Sequence, residues 1–259
     1  MTSQPERGTA RAGDAKRRPE AVADELLGEL RARANPANVD GMRRYAISSA
    51  GTLGVTMPEV RALAREAKRE LRRDDEGRHD VAAALWASGI HEARIMAALV
   101  DVPALVGEAQ MEAWAAELDS WDVCDQLCIN LFRLAPPAWE KASEWTKRKP
   151  EYVKRAGFVL GATLAVHEKS ADDARFIPLL AAAERECTDG RNMVKKAVNW
   201  QVRQIGKRSA ELNAEAIACC ERILESHADS TPARWMARDA LRELRSDGVR
   251  DRLGIASQQ

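Results

Sequence analysis

The stretch Asp119-Ser120-Trp121-Asp122-Val123-Cys124-Asp125 carries residue types that can act on a sugar. On a helix Trp121 and Asp125 lie one turn apart and share a face. A carboxylate beside an aromatic ring stabilises developing positive charge, which is what N-glycosidic cleavage asks of its surroundings. The same residues also fit a plainer description. Asp119 or Ser120 would be the N-cap, Asp122 and Asp125 first-turn and surface acids, and Trp121 a core anchor. Spacing is compatible with both.

A second segment, Arg191 to Arg208, holds six basic residues (Arg191, Lys195, Lys196, Arg203, Lys207 and Arg208) and no acidic one. Val194, Val198, Val202 and Ile205 follow helical spacing and make a buried stripe. Lys196, Trp200, Arg203 and Lys207 fall on a different face. An indole among cations suits a phosphate backbone with a sugar or base edge beside it. It equally suits a Trp at a helix boundary with cationic stems packed on it. Lys147, Arg148, Lys149, Lys154 and Arg155 gather around another helix start, and Arg61, Arg65, Lys68, Arg69, Arg72 and Arg73 line an early helix. Singly, each run reads as a solvated face; on successive repeats they would line one DNA-sized groove.

The elements that must position these groups are helices. Helical periodicity runs through Ala21 to Ala34, Pro58 to about Arg73, Val81 to Trp86, His91 to Val100, Leu105 to Leu118 and Trp121 to Leu134. It continues through Trp139 to Lys147, Glu151 to His167, Ala171 to Ala183, Asn192 to Arg208, Asn213 to His227 and Thr231 to Leu244. Pro, Gly, Asp and Ser mark the joints, and no segment reads as a strand. The expectation is an all-α chain, an α-solenoid of HEAT-like or armadillo-like repeats, with an ordinary globular helical domain as the alternative. Residues 1–20 read as a disordered basic tail, 21–245 as the repeat domain and 246–259 as a polar tail.

Composition sets the outer limits. The 259 residues are 45% hydrophobic and 31% charged, enough for a continuous core. Forty basic residues balance forty acidic ones, so only local clustering can argue for a polyanionic partner. The five cysteines read as reduced core residues of a cytosolic protein, and Cys124 with Cys128 lacks the further ligands of a zinc site. No segment reads as a signal peptide or a membrane span. His91-Glu92 and His167-Glu168 look like helix-terminal residues, and the four histidines form no triad-like pattern. Trp86, Trp114, Trp139, Trp145 and Trp235 read as core packing.

Taken together, Trp121 to Asp125, Val153-Lys-Arg155-Ala-Gly-Phe158 and Val194-Lys-Lys-Ala-Val-Asn-Trp200-Gln-Val-Arg-Gln-Ile-Gly-Lys207 resemble the AlkD-like, HEAT-like repeat DNA alkylation repair glycosylases. Met42-Arg-Arg-Tyr45 and Gly54-Val-Thr-Met-Pro-Glu-Val-Arg61 resemble that family's N-terminal motif, and the likeness runs from about Val39 to Leu244. It implies a solenoid that clamps duplex DNA in a concave basic groove. It also implies hydrolytic removal of cationic N3- and N7-alkylpurines without metal or other cofactor, and without a base-binding pocket. Asp125 would be the catalytic carboxylate, and Trp121 and Trp200 the aromatics that pack on the sugar, with Tyr45 as a third. Arg155 would hold the adjacent phosphate with Lys196, Arg203 and Lys207, and Lys154 would belong to the same DNA-contacting set. The partner is duplex DNA bearing alkylated bases, with no membrane, and the chain is expected to be a monomer. Two other functions fit the same residues: a non-catalytic binder of damaged or branched DNA, and a scaffold for protein partners.

Overall fold

The computed structural model describes residues 17–47 and 50–255. Those residues form fourteen α-helices and no strand. In chain order they are α1 (Pro19–Ala32), α2 (Pro36–Arg43), α3 (Met57–Glu70), α4 (Asp75–Ala87), α5 (His91–Val100), α6 (Glu108–Ala116) and α7 (Trp121–Asn130). There follow α8 (Ala138–Glu144), α9 (Glu151–His167), α10 (Ile177–Glu186), α11 (Asn192–Ile205), α12 (Ala210–Ser226), α13 (Thr231–Leu244) and α14 (Asp247–Leu253). Local chemistry sets many of the starts. Asn35 caps α2 by accepting from the Ala37 N–H at 3.1 Å, and Glu59 reaches back to the Thr56 N–H at 3.0 Å. Pro occupies the first turn of α1, α2, α3, α10 and α13.

The helices stack in two rows. In one, α3, α5, α7, α9, α11 and α13 each pack on the next; behind it α4, α8, α10 and α12 cover the seams. This is an α-solenoid, as the periodicity predicts. Its central pillar is α9, buried without a break from Val153 to Ala165. Two glycines let neighbours approach it. A Cβ on Gly157 would sit 2.7 Å from the Thr146 backbone nitrogen, and one on Gly161 would meet the tip of Gln201. The Trp86 and Trp114 rings stack at 4.3 Å, and Phe132 links Trp114 to Trp145. Trp139 packs against Phe176 under the Arg175 guanidinium.

The described residues depart from the periodicity at several points. Residues 36–43, passed over between Asn35-Pro36 and Pro58, form α2. The tail expected from residue 246 contains α14, anchored by buried Val249; the tail expected over residues 1–20 lies outside the described residues up to residue 16, and α1 begins at Pro19. Several boundaries break into short 3-10 turns, as at Phe132–Leu134 after α7. Trp235 is not core, being 40% exposed. Ala233, Met236, Ala237, Ala240, Leu241 and Leu244 complete the buried stripe of α13 without it.

Candidate DNA-contacting site

Ser120 is the N-cap residue of α7, and Trp121 opens the helix. Val123, Cys124, Leu127 and Cys128 turn inward, so the opposite face presents Trp121, Asp122, Asp125, Gln126 and Ile129. Arg155 arrives from α9 and grips Asp125 in a two-toothed pair, Nε to Oδ1 at 3.0 Å and Nη2 to Oδ2 at 2.8 Å. Its Nη1 donates to the Met193 carbonyl at 2.7 Å, tying the pair to α11. The planar fork fixes the carboxylate's orientation as well as its charge. Burial pushes the Asp125 carboxyl above its ordinary range, and Arg155 pulls against that rise.

The Trp121 Nε1 donates to the Tyr45 carbonyl at 2.8 Å, so the segment after α2 is latched onto α7. The Tyr45 side chain itself stands 73% exposed. Arg44, Tyr45, Trp121, Asp125, Arg155, Met193 and Lys196 line a cleft of about 420 Å³. On the other side of Trp121 lies a larger, mainly apolar cavity of about 660 Å³, bounded by Met42, Tyr45, Ile95, Asp125 and Ile129 among others. Room for a base therefore exists beside the carboxylate, contrary to the expectation of no pocket.

The structure distributes the other expected site residues unevenly. Lys196 is exposed in the cleft with Asp125 and Arg155. Lys154 is turned away and buried, its Nζ 2.5 Å from Glu186 and 3.5 Å from Asp189. Arg203 and Lys207 share Glu243 of α13 at 2.6 and 2.5 Å. Trp200 is half-buried against the core; with the Gln204 amide oxygen turned inward, that oxygen accepts from Trp200 Nε1 at 3.1 Å and Lys207 Nζ at 3.2 Å. Tyr45, Trp121, Asp125, Arg155 and Lys196 thus come together. Trp200, Arg203 and Lys207 form a separate cluster between α11 and α13.

Several participants escaped sequence reasoning. Buried His91 donates from Nε2 to the Asp122 carboxylate at 2.8 Å, and the Ser120 hydroxyl donates to the other Asp122 oxygen at 2.5 Å. Burial opposes charge on His91, but Asp122 more than compensates and raises its pKa above the ordinary value; Asp122 is lowered in turn. Glu92 is also buried, accepting the N–H groups of Leu53, Gly54 and Val55 at 2.9, 2.6 and 3.2 Å. Gly54 has φ +78°, and a Cβ there would lie 2.2 Å from the Asn35 carbonyl oxygen. No spacing rule links His91 to Asp122 or Glu92 to this loop. Among the described residues one carboxylate trio, Glu108, Glu112 and Glu144, is close enough for a cation, and the Lys141 ammonium already lies 2.7 Å from each.

A two-row helical solenoid of this kind, with a clamped carboxylate, an aromatic and cations on one row, has the HEAT-like repeat architecture. The family model described as DNA alkylation repair enzyme matches residues 26–244, and the chain belongs to that family. A solved structure of one of "a new family of proteins related to the HEAT-like repeat DNA glycosylases with affinity for branched DNA structures" shares the fold. It aligns with a TM-score of 0.70 at 15% identity, covering 91% of this chain and 97% of its own. No curated protein sequence matches significantly. No helix among the described residues is long and apolar enough to cross a membrane.

Proposed function

We propose that this chain is a DNA glycosylase that hydrolyses the N-glycosidic bond of cationic N3- and N7-alkylpurines in duplex DNA. The observation that carries the reading is Asp125, held bidentately by Arg155 at the floor of a cleft walled by Trp121 and Tyr45 and edged by Lys196. An alkylated purine already bears positive charge, so it departs as a neutral base, taking the bonding electron pair. Positive charge passes to the deoxyribose, where the fixed Asp125 carboxylate stabilises it. Water then adds to C1′ and gives its proton to that carboxylate, which passes it to solvent; the products are free base and an abasic site.

The Trp121 ring, one turn before Asp125, packs on the sugar, and Trp200, one turn beyond Lys196 on α11, supplies the second aromatic. Lys196 and Arg44 face the phosphates. Arg155 has committed three of its five N–H donors to Asp125 and Met193, leaving two for a phosphate oxygen. Arg203 and Lys207 join them by exchanging Glu243 for phosphate. The row of α3 to α13 forms the concave, basic groove, and the chain acts as a monomer.

The test is release of free 7-methylguanine and 3-methyladenine from methylated duplex, with Asp125→Asn alongside. The wild type should release both, and the variant should lose about 10²- to 10³-fold in rate with its DNA affinity kept. A wild type that releases neither yet binds DNA with steep salt dependence would make this a non-catalytic DNA binder. That second reading draws on the affinity for branched DNA described for the structural neighbour.

A further inference from the structure

We propose that the exposed face of α13 around Trp235 is a second DNA contact, a stacking platform for an unpaired base on a strand flanking the duplex. The proposal rests on the DNA-binding part of the function above, not on its chemistry. Trp235 is a large ring left 40% exposed on a helix that needs nothing more for its core. Thr231, Arg234, Arg238, Asp239 and Arg242 line a shallow depression of about 350 Å³ with it. Lys195 of α11 places its Nζ 5.1 Å from the ring centroid.

The charge around the ring is one-sided. Lys195, Arg234, Arg238 and Arg242 face a single acid, Asp239. Arg242 pairs with that acid while its side chain stays 79% exposed. Arg234 is held by the Ala228 carbonyl and the Thr231 hydroxyl. The Arg238 side chain is exposed and makes no hydrogen bond or ion pair with any described residue. An open indole rimmed by surplus cations matches a nucleotide, whose base offers a π-face and whose phosphate offers a negative charge.

Position argues for a flanking strand. Lys196 faces the Asp125 cleft while its chain neighbour Lys195 leans on Trp235, so the two surfaces are continuous across α11. Yet α13 is three helices along the row from α7, about 25–30 Å at ordinary helix spacing. A nucleotide at Trp235 therefore lies several steps from the one at Asp125. Within a duplex the base faces are covered by their neighbours; only an unpaired or terminal base can stack on the indole. The ammonium now resting on the ring is placed for the phosphate of the base that displaces it.

The experiment compares equilibrium binding of a blunt duplex with that of the same duplex carrying a single-stranded overhang, read by fluorescence anisotropy. The wild type should favour the overhang by about 5- to 100-fold, Trp235→Ala should lose that preference, and Trp235→Phe should keep much of it. Arg238→Gln should weaken the overhang complex and lower its salt dependence, which also serves should Trp235→Ala fold poorly. Equal affinity of the wild type for both DNAs, or a preference that survives Trp235→Ala, overturns the platform while leaving duplex binding standing. Failure to bind either DNA would overturn the DNA-binding reading as well.

Discussion

Asp125 is asked to remain ionised while 14% exposed at its side chain, and Arg155 is what makes that compatible with burial. Because burial sets its pKa above the ordinary 3.8, the carboxylate is lost on acidification at a higher pH than an exposed aspartate would be. Base release should therefore show an acid limb above pH 3.8, measured as kcat/KM against pH. Arg155→Met removes the cation that pulls the pKa down, so the limb should move further toward neutrality. An unchanged limb in that variant would show that Arg155 does not tune Asp125. His91 and Asp122 perform a related task one turn earlier: their pairing fixes the residue beside Trp121 from an adjacent helix.

At the scale of elements, the site depends on how closely α7, α9 and α11 lie. Asp125, Arg155 and Met193 come from those three helices in turn, so a shift of one helix by an ångström would separate the pair. Gly157 holds the other side of α9. Its missing Cβ is replaced by the backbone of Trp145 and Thr146, which cannot yield as a side-chain tip can. Gly157→Val should destabilise the fold by about 1–3 kcal/mol, seen as a lower thermal midpoint, and should cut base release in the surviving folded protein. Gly161→Ala should be milder, since it meets only the end of Gln201. Equal effects from both would contradict this account of α9.

Across the whole molecule, zero net charge means that DNA affinity must come from local clusters of cations that are exposed or can exchange an acid for phosphate. Lys196 is exposed in the cleft, whereas Lys154 is enclosed by Glu186 and Asp189. The slope of log K against log salt should fall by about 0.9 in Lys196→Ala and stay unchanged in Lys154→Ala. A loss of slope in the second variant would mean that Lys154 leaves its acids for phosphate.

Much of this was legible along the chain. Helix periodicity is a local property, set by 3.6 residues per turn and by the caps, so α5, α9 and α13 could be read nearly to their ends. The one-turn spacing of Trp121 and Asp125 was legible for the same reason, whereas Arg155 was singled out only through the family resemblance, and its grip on an acid 30 residues away was not foreseen. Partnership is not local. Lys154 meets an acid 32 residues away and Arg203 one 40 residues away, and nothing in their own helices announces it. Nor could residue type tell that Trp235 stays outside while Trp145 goes inside, since both are large aromatics on amphipathic helices. By itself the sequence determined the helices, their stripes and the chemical candidates. Only the packing of one row on the next decided which charges cancel, which carboxylate is clamped, and which ring is left exposed.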